Sequence, residues 1–268
     1  MEISINNLKY KDVINKFNIE LKNNSVVAFL SKNDDFVVCL FELICARIKP
    51  DCGNIIVGGT NLDKSSNKKL INKVKRMISY LDDDIKKNLF NYNIYQDIIY
   101  ELDAQVDKTK LNSLLEKFEL DLSILKKSYM ELSDGEKKKI CIIQTLMKNS
   151  KIIIMNNPNV NLDYKSIQTL IKILRCEKRN GKLILISSMD SDFILQVADR
   201  AVVINNGKII KDGKKYDVMK DEKSLSKINY DVPKIINFEN RVLELKKIKI
   251  GYRDNLSDLI KDIYRNAK

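Results

Sequence analysis

From Phe29 to Leu40 the chain reads FLSKNDDFVVCL, where an apolar strand passes into an apolar helix. Such a junction can cradle phosphate when glycines admit the anion to backbone amides and a lysine follows at the helix start. This one has no glycine, no lysine at the helix start, and Asp34 and Asp35 where phosphates would dock. Each carboxylate within ~4 Å of a phosphate charge costs about 1 kcal/mol in water and about 4 kcal/mol at an effective dielectric of 20. The same aspartates suit a helix start, where a carboxylate accepts hydrogen bonds from free amides and complements the dipole. The stretch therefore reads as a nucleotide site without its ligands or as an ordinary capped turn. A second candidate is Ser133-x-x-Glu136 in ELSDGEKKKICIIQTLMKN, a capping box that by itself marks only a helix start. Histidine is absent from the chain, which removes imidazole from every mechanism.

The elements that position these residues follow from pattern. EISINNLKY alternates, FNIELKNN follows, and SVVAFL is a continuous apolar run suited to a strand buried on both faces. A helix is expected from Asp35 to Ile48, ended by Lys49-Pro50, before DCGN turns the chain into the strand IIVGG. A lysine-rich helix from Lys68 to Tyr80 leads into RMISYL, and about 82–150 reads as mostly helical. KIIIM, KLILISS and RAVVINNGKII are short strands separated by helices. Strands alternating with helices imply an α/β domain with a mainly parallel sheet, here spanning 1–213, and a small appendage over 214–268.

Composition narrows the classes. The 268 residues, 44% hydrophobic, suffice for a substantial core. Cys39, Cys45, Cys52, Cys141 and Cys176 lack paired spacing, so neither a disulfide framework nor a zinc site is expected. No apolar run approaches the ~20 residues that span a bilayer, and no signal-peptide pattern opens the chain, which points to the cytoplasm. The net charge of +12 is spread along the chain among acids, favouring a solvated lysine-rich surface over a polyanion site.

The order of segments after Ser133 resembles an ABC transporter nucleotide-binding subunit. ELSDGEKKKICIIQTLMKN stands at the LSGGQ-type signature, KIIIM at the Walker B strand, NNPNVNLD at the D-loop, and a second helix and strand lead to the switch. KPDCGNIIVGG and VADRAVVINNGKIIKDG are similar to the family's segments after the phosphate-loop helix and at the closing strands. NLFNYNIYQDIIYEL and INYDVPKIINFENRVLELKKIKI, with Asp231-Val232-Pro233, resemble the A subunits of energy-coupling factor (ECF) transporters. The resemblance implies a P-loop NTPase fold of the ABC type, with a RecA-like mainly parallel sheet, an N-terminal antiparallel β region, a helical subdomain and a C-terminal extension that adds dimer contact.

On this pattern the phosphate loop holds Ser31, Lys32, Asn33, Asp34, Asp35 and Phe36, with Val37 at the lysine position and Val38 at the magnesium-binding hydroxyl. Asn156 and Asn157 stand at the magnesium-coordinating aspartate and the catalytic glutamate, Met189 at the switch histidine and Leu81 at the Q-loop glutamine. A neutral amide is a weaker partner for magnesium-bound water and cannot accept a proton from an attacking one. Tyr10 reads as an adenine-stacking aromatic or as a core or surface tyrosine. Ser133, Gly135 and Glu136 remain, with Asp134 at the first glycine of the motif, and Asp163 keeps the D-loop aspartate. In the family the signature acts in trans on nucleotide held by a partner.

The resemblance therefore implies a heterodimer in which a competent ABC subunit holds ATP and Mg2+, while the own site binds weakly or not at all. It further implies a transmembrane T subunit, a separate substrate-capture subunit, residence at the cytoplasmic face of the membrane and no nucleic acid. Leu89, Phe90, Tyr92 and Tyr95 are candidate contacts to the membrane subunit, or else pack the helical subdomain. A scaffold or regulatory protein outside transport is the competing expectation. Nucleic-acid-associated ABC proteins commonly carry two cassettes, and this chain has one.

Overall fold

A computed structural model describes residues 2–32, 34–100, 102, 106–246 and 261. The alternating N-terminal segments form β1 (Ile3–Tyr10) and β2 (Ile14–Leu21). With β4 (Cys52–Val57) and β5 (Thr60–Leu62) they make an antiparallel sheet of order β2-β1-β4-β5. Gly53 is required there: its φ is +80°, and a Cβ would lie 2.4 Å from the Asn7 carbonyl oxygen.

The second sheet contains β3 (Ser25–Ser31), β6 (Ile78–Leu81), β7 (Ile152–Asn156), β8 (Leu183–Ser187), β9 (Arg200–Asn205) and β10 (Lys208–Lys214). Its order is β10-β9-β3-β8-β7-β6, parallel except for the β9–β10 hairpin. This is the expected α/β architecture, and every residue of β6, β7 and β8 is buried. Side chains alternate between two cores. Val27, Phe29, Ile152, Ile154, Leu183 and Leu185 face the antiparallel sheet and α1 (Asp34–Ile44). Val26, Ala28, Leu30, Ile153, Met155, Ile184 and Ile186 face the helical side.

Helices link the parallel strands. α1 stops short of the expected Ile48 because Ala46 turns to φ 54°. α2 (Lys68–Met77) ends where Ile78 begins pairing with Ile152. The helical segment holds α3 (Ile85–Asn88), α4 (Ile94–Ile99), α5 (Lys108–Lys117) and α6 (Asp134–Met147). α7 (Tyr164–Arg179) and α8 (Ser191–Val197) complete the crossovers.

After β10 come α9 (Lys215–Met219), α10 (Glu222–Ser226) and α11 (Lys234–Lys246). Val218, Met219, Leu225, Ile228 and Ile236 are buried in the same core as β3 and β7. Residue 213 lies inside β10, so the described part of the expected appendage continues the main core rather than standing apart. Residues 247–260 and 262–268 of that segment lie outside the described residues.

Candidate functional site

Ser31, Leu81, Asn156 and Ser187 close β3, β6, β7 and β8 at one edge of the parallel sheet. In open α/β sheets, ligands bind outside these carboxyl ends. The edge therefore collects the phosphate-loop, Walker B and switch positions expected from sequence.

At the phosphate loop, β3 ends at Ser31 and α1 begins at Asp34. Asn33 and the side chain of Asp34 lie outside the described residues, and Lys32 and Asp35 are exposed. Phe36 and Val37 are buried in the core under the antiparallel sheet. The Phe36 ring meets Phe17 edge to face, with centroids 5.3 Å apart. Val38 and Cys39 are half-buried, and burial together with nearby Glu42 and Asp35 raises the Cys39 thiol above its ordinary range. Tyr10 is half-buried, and the Lys11 ammonium lies 5.1 Å from its ring centroid.

At the end of β7, Asn156 is buried and its Oδ1 accepts from the Ser187 hydroxyl. Asn157 takes φ 46°, donates its N–H to the Ser187 carbonyl at 3.0 Å, and donates Nδ2–H to Asp83 Oδ2 at 3.2 Å. Asp83 Oδ1 lies 3.2 Å from Nζ of Lys138, a lysine only 2% exposed. Ser188 Oγ donates to Asn159 Oδ1 at 2.7 Å, and the Tyr230 hydroxyl donates to the Ser188 carbonyl at 3.1 Å. Met189 emerges exposed just beyond β8. Among the described residues, no group of three or more His, Cys, Asp or Glu could hold a metal ion.

Leu81, expected at the glutamine position, is enclosed in the apolar core. The polar residues that leave β6 are instead Asp82 and Asp83. Asp82 pairs with Arg47 Nη1 at 3.2 Å and with Lys87 Nζ at 3.3 Å, and the Arg47 guanidinium lies 4.6 Å from the Tyr80 ring centroid. These ionic partners were not singled out from sequence. Their one local signal is Asp82-Asp83-Asp84 directly after an apolar strand.

The signature helix begins as its sequence implies. Ser133 caps α6, accepting at Oγ from the Glu136 N–H at 3.3 Å, while Glu136 Oε2 accepts from the Ser133 N–H and hydroxyl, each at 2.9 Å. The hydrogen bond from the Ser133 N–H, then that from its hydroxyl, hold Glu136 below the usual carboxylate range. Asp134 is exposed beside Lys137, with 3.3 Å between Oδ1 and Nζ. A Cβ on Gly135 would lie 3.1 Å from the Asn161 carbonyl oxygen, so this glycine permits α6 to approach the D-loop. Asp163 caps α7 through the Ser166 N–H at 2.8 Å and lies 3.4 Å from Lys139 Nζ of α6. The hydrogen bond from the Ser166 N–H leads the causes that hold the Asp163 carboxyl below the usual carboxylate range.

The expected membrane-contact group divides. Leu89 is buried and Tyr95 packs partly buried against the helical core. Phe90 and Tyr92 are 50% and 88% exposed. Asp97, fully buried, holds their loop by accepting at Oδ1 from the Phe90 and Asn91 N–H groups at 2.9 and 2.8 Å. Phe90 and Tyr100 form a T-shaped pair with centroids 4.9 Å apart.

Residues 14–160 match the family model described as ABC transporter. The chain belongs to the ABC transporter family. It is 23% identical over 271 residues to the energy-coupling factor transporter ATP-binding protein EcfA3 of Oenococcus oeni, covering 96% of this chain and 92% of that protein. It is 26% identical over 251 residues to EcfA2 of Clostridium perfringens, covering 88% and 87%. Among solved structures, cbiO1 of Clostridium perfringens, part of the ABC transporter complex cbiONQ, aligns with TM-score 0.69 at 22% identity, covering 89% of this chain and 98% of that one. A dimeric ATP-binding cassette bound to ADP and Pi aligns with TM-score 0.70 at 17% identity, covering 80% and 98%. These likenesses identify the fold as that of the ABC ATPases.

Proposed function

We propose that this ABC protein is the non-hydrolysing A subunit of an ECF-type importer, paired with a competent ABC ATPase whose site it completes through Ser133, Gly135 and Glu136. The observation that carries this reading is the burial of Phe36 and Val37 at the phosphate loop, set against a helix start at α6 where Ser133 and Asp134 are exposed and Gly135 and Glu136 half-buried. An ATP phosphate chain with Mg2+ does not fit the own site. The lysine and hydroxyl positions hold valines, the third glycine position holds a ring packed on Phe17, and the metal-ligand position is Asn156 bonded to Ser187. ATP and Mg2+ belong on this reading to the partner's composite site, where the start of α6 offers a hydroxyl, close backbone approach and a positive helix end.

The relatives from Oenococcus oeni and Clostridium perfringens support the ECF assignment by their names. On this reading the assembly also includes a transmembrane T subunit and a substrate-capture subunit. Phe90 and Tyr92, the exposed residues of the contact group, are the ones this reading assigns to such a subunit. No described helix is long and apolar enough to cross a membrane. On this reading the protein attaches at the cytoplasmic face through its partners and takes up no nucleic acid.

The test is co-purification with an ABC subunit carrying intact motifs, followed by ATPase assay of the pair and of this chain alone. The pair turns over and the isolated chain does not. Ser133→Ala with Gly135→Ala lowers turnover of the pair about a hundredfold, the scale of losing a preorganised donor at developing charge. Hydrolysis by the isolated chain overturns the assignment of its site. Undiminished turnover of the doubly substituted pair favours a scaffold role.

A further inference from the structure

We infer that Asp83, Lys138 and Asn157 form an internal tie that holds the signature helix against the end of β7 without nucleotide, Asp83 and Lys138 being its positioning residues. The significance of the tie for a partner rests on the pairing proposed above. One carboxylate joins three elements: Asp83, in the loop after β6, reaches Lys138 of α6 with Oδ1 and Asn157 at the end of β7 with Oδ2, both at 3.2 Å. Lys138 lies five positions after Ser133, about 7.5 Å along the helix at 1.5 Å per residue. Fixing its ammonium therefore fixes the end that carries the signature.

Charge explains why these three residues belong together. A glutamate at 157 could bring a second carboxylate to the place where the Asn157 amide now meets Asp83. Like charges at that separation repel one another. The amide turns that contact into a hydrogen bond, and Lys138 neutralises the remaining charge. The asparagine at position 157 thus serves as a hydrogen-bond donor to Asp83.

Neighbouring contacts act in the same direction. Asp82 links the same loop to Arg47, just beyond α1. Gly135 lies against Asn161, and Lys139 pairs with Asp163. The first two turns of α6 are therefore held to the loop after β6 and to the segment that follows β7 by groups of this chain.

Amide hydrogen exchange of the isolated full chain tests the tie, with and without Mg-ATP. In the natural sequence, protection of residues 134–140 is the same under both conditions. Asp83→Asn raises exchange at least about tenfold in 82–88 and 134–140, while amides of β3, β7 and β8 keep their protection. Asn157→Glu does the same by repelling Asp83. Because Lys138 left unpaired could unfold the chain, the double variant Asp83→Asn with Lys138→Met removes both charges and shows the same local rise. Retained protection in Lys138→Arg, which keeps the charge, separates positioning from simple packing. Unchanged exchange in Asp83→Asn or in the double variant overturns the inference. So do a uniform rise across the sheet, loss of protection in Lys138→Arg, and added protection of 134–140 by Mg-ATP in the natural sequence. No partner enters this measurement, so failure of the ATPase test beside the expected exchange pattern sinks the pairing alone.

Discussion

The starts of α1 and α6 can be compared residue by residue, since each follows a short polar turn and each carries aspartate at its first helical position. In α1 the next turn delivers Phe36 and Val37 into a core shared with Phe17, Phe29 and Phe41. In α6 the corresponding turn stays at the surface, and Ser133 and Glu136 satisfy one another's polar groups. A helix start keeps its capacity for anions only while its first turn faces outward. At α1 the first turn is instead taken up by packing, through Phe36 and Val37.

The comparison breaks most readily at α1. Phe36→Ala empties a ring-sized space and lowers stability by about 3–5 kcal/mol in denaturant titration, with no ATP binding gained in calorimetry. Val37→Lys places an ammonium in the apolar core under the antiparallel sheet and costs about 3 kcal/mol, and hydrolysis by the isolated chain stays absent. Ser133→Ala, by contrast, removes a surface cap and costs about 1 kcal/mol in the same titration, though on the proposed function it depresses a partner's turnover far more than its stability effect suggests.

Acid sharpens the difference by the smallest effect. The Ser133 hydrogen bonds lower Glu136 from its ordinary value of 4.5, so its contribution is present above that value and fades as pH falls through the lower folded value. Exchange protection at the start of α6 therefore declines in acid below pH 4.5, while the amides of Leu40 and Phe41, within α1 and buried, keep theirs. Equal loss at both helices would erase the distinction.

Much of the fold can be read locally. The Ser133-x-x-Glu136 box, the apolar runs KIIIM and KLILISS, and the Gly53 turn all act within a few residues, where hydrogen bonding and side-chain periodicity are encoded. The sequence also shows which chemical groups are absent at 37, 38, 156, 157 and 189, because residue type alone determines whether a lysine, carboxylate or imidazole is available. The apolar character of Phe36 foretells packing, although its partner Phe17 could be named only from the structure.

Other features depended on the tertiary structure. Four apolar residues from Leu89 to Tyr95 look alike in sequence, yet Leu89 turns inward and Tyr92 outward because Asp97 ties down the loop between them. The segment after Gly213 alternates like an independent appendage, but Val218, Met219 and Leu225 have their hydrophobic partners on the main sheet. Lys138 reads as one of three consecutive lysines, and only folding distinguishes it, bringing Asp83 from 55 positions away and leaving its neighbours nearer water. The chain by itself specified local elements and the chemistry missing from them. Burial and ion pairing between distant segments were decided by the tertiary structure, because they depend on which surfaces meet and exclude water.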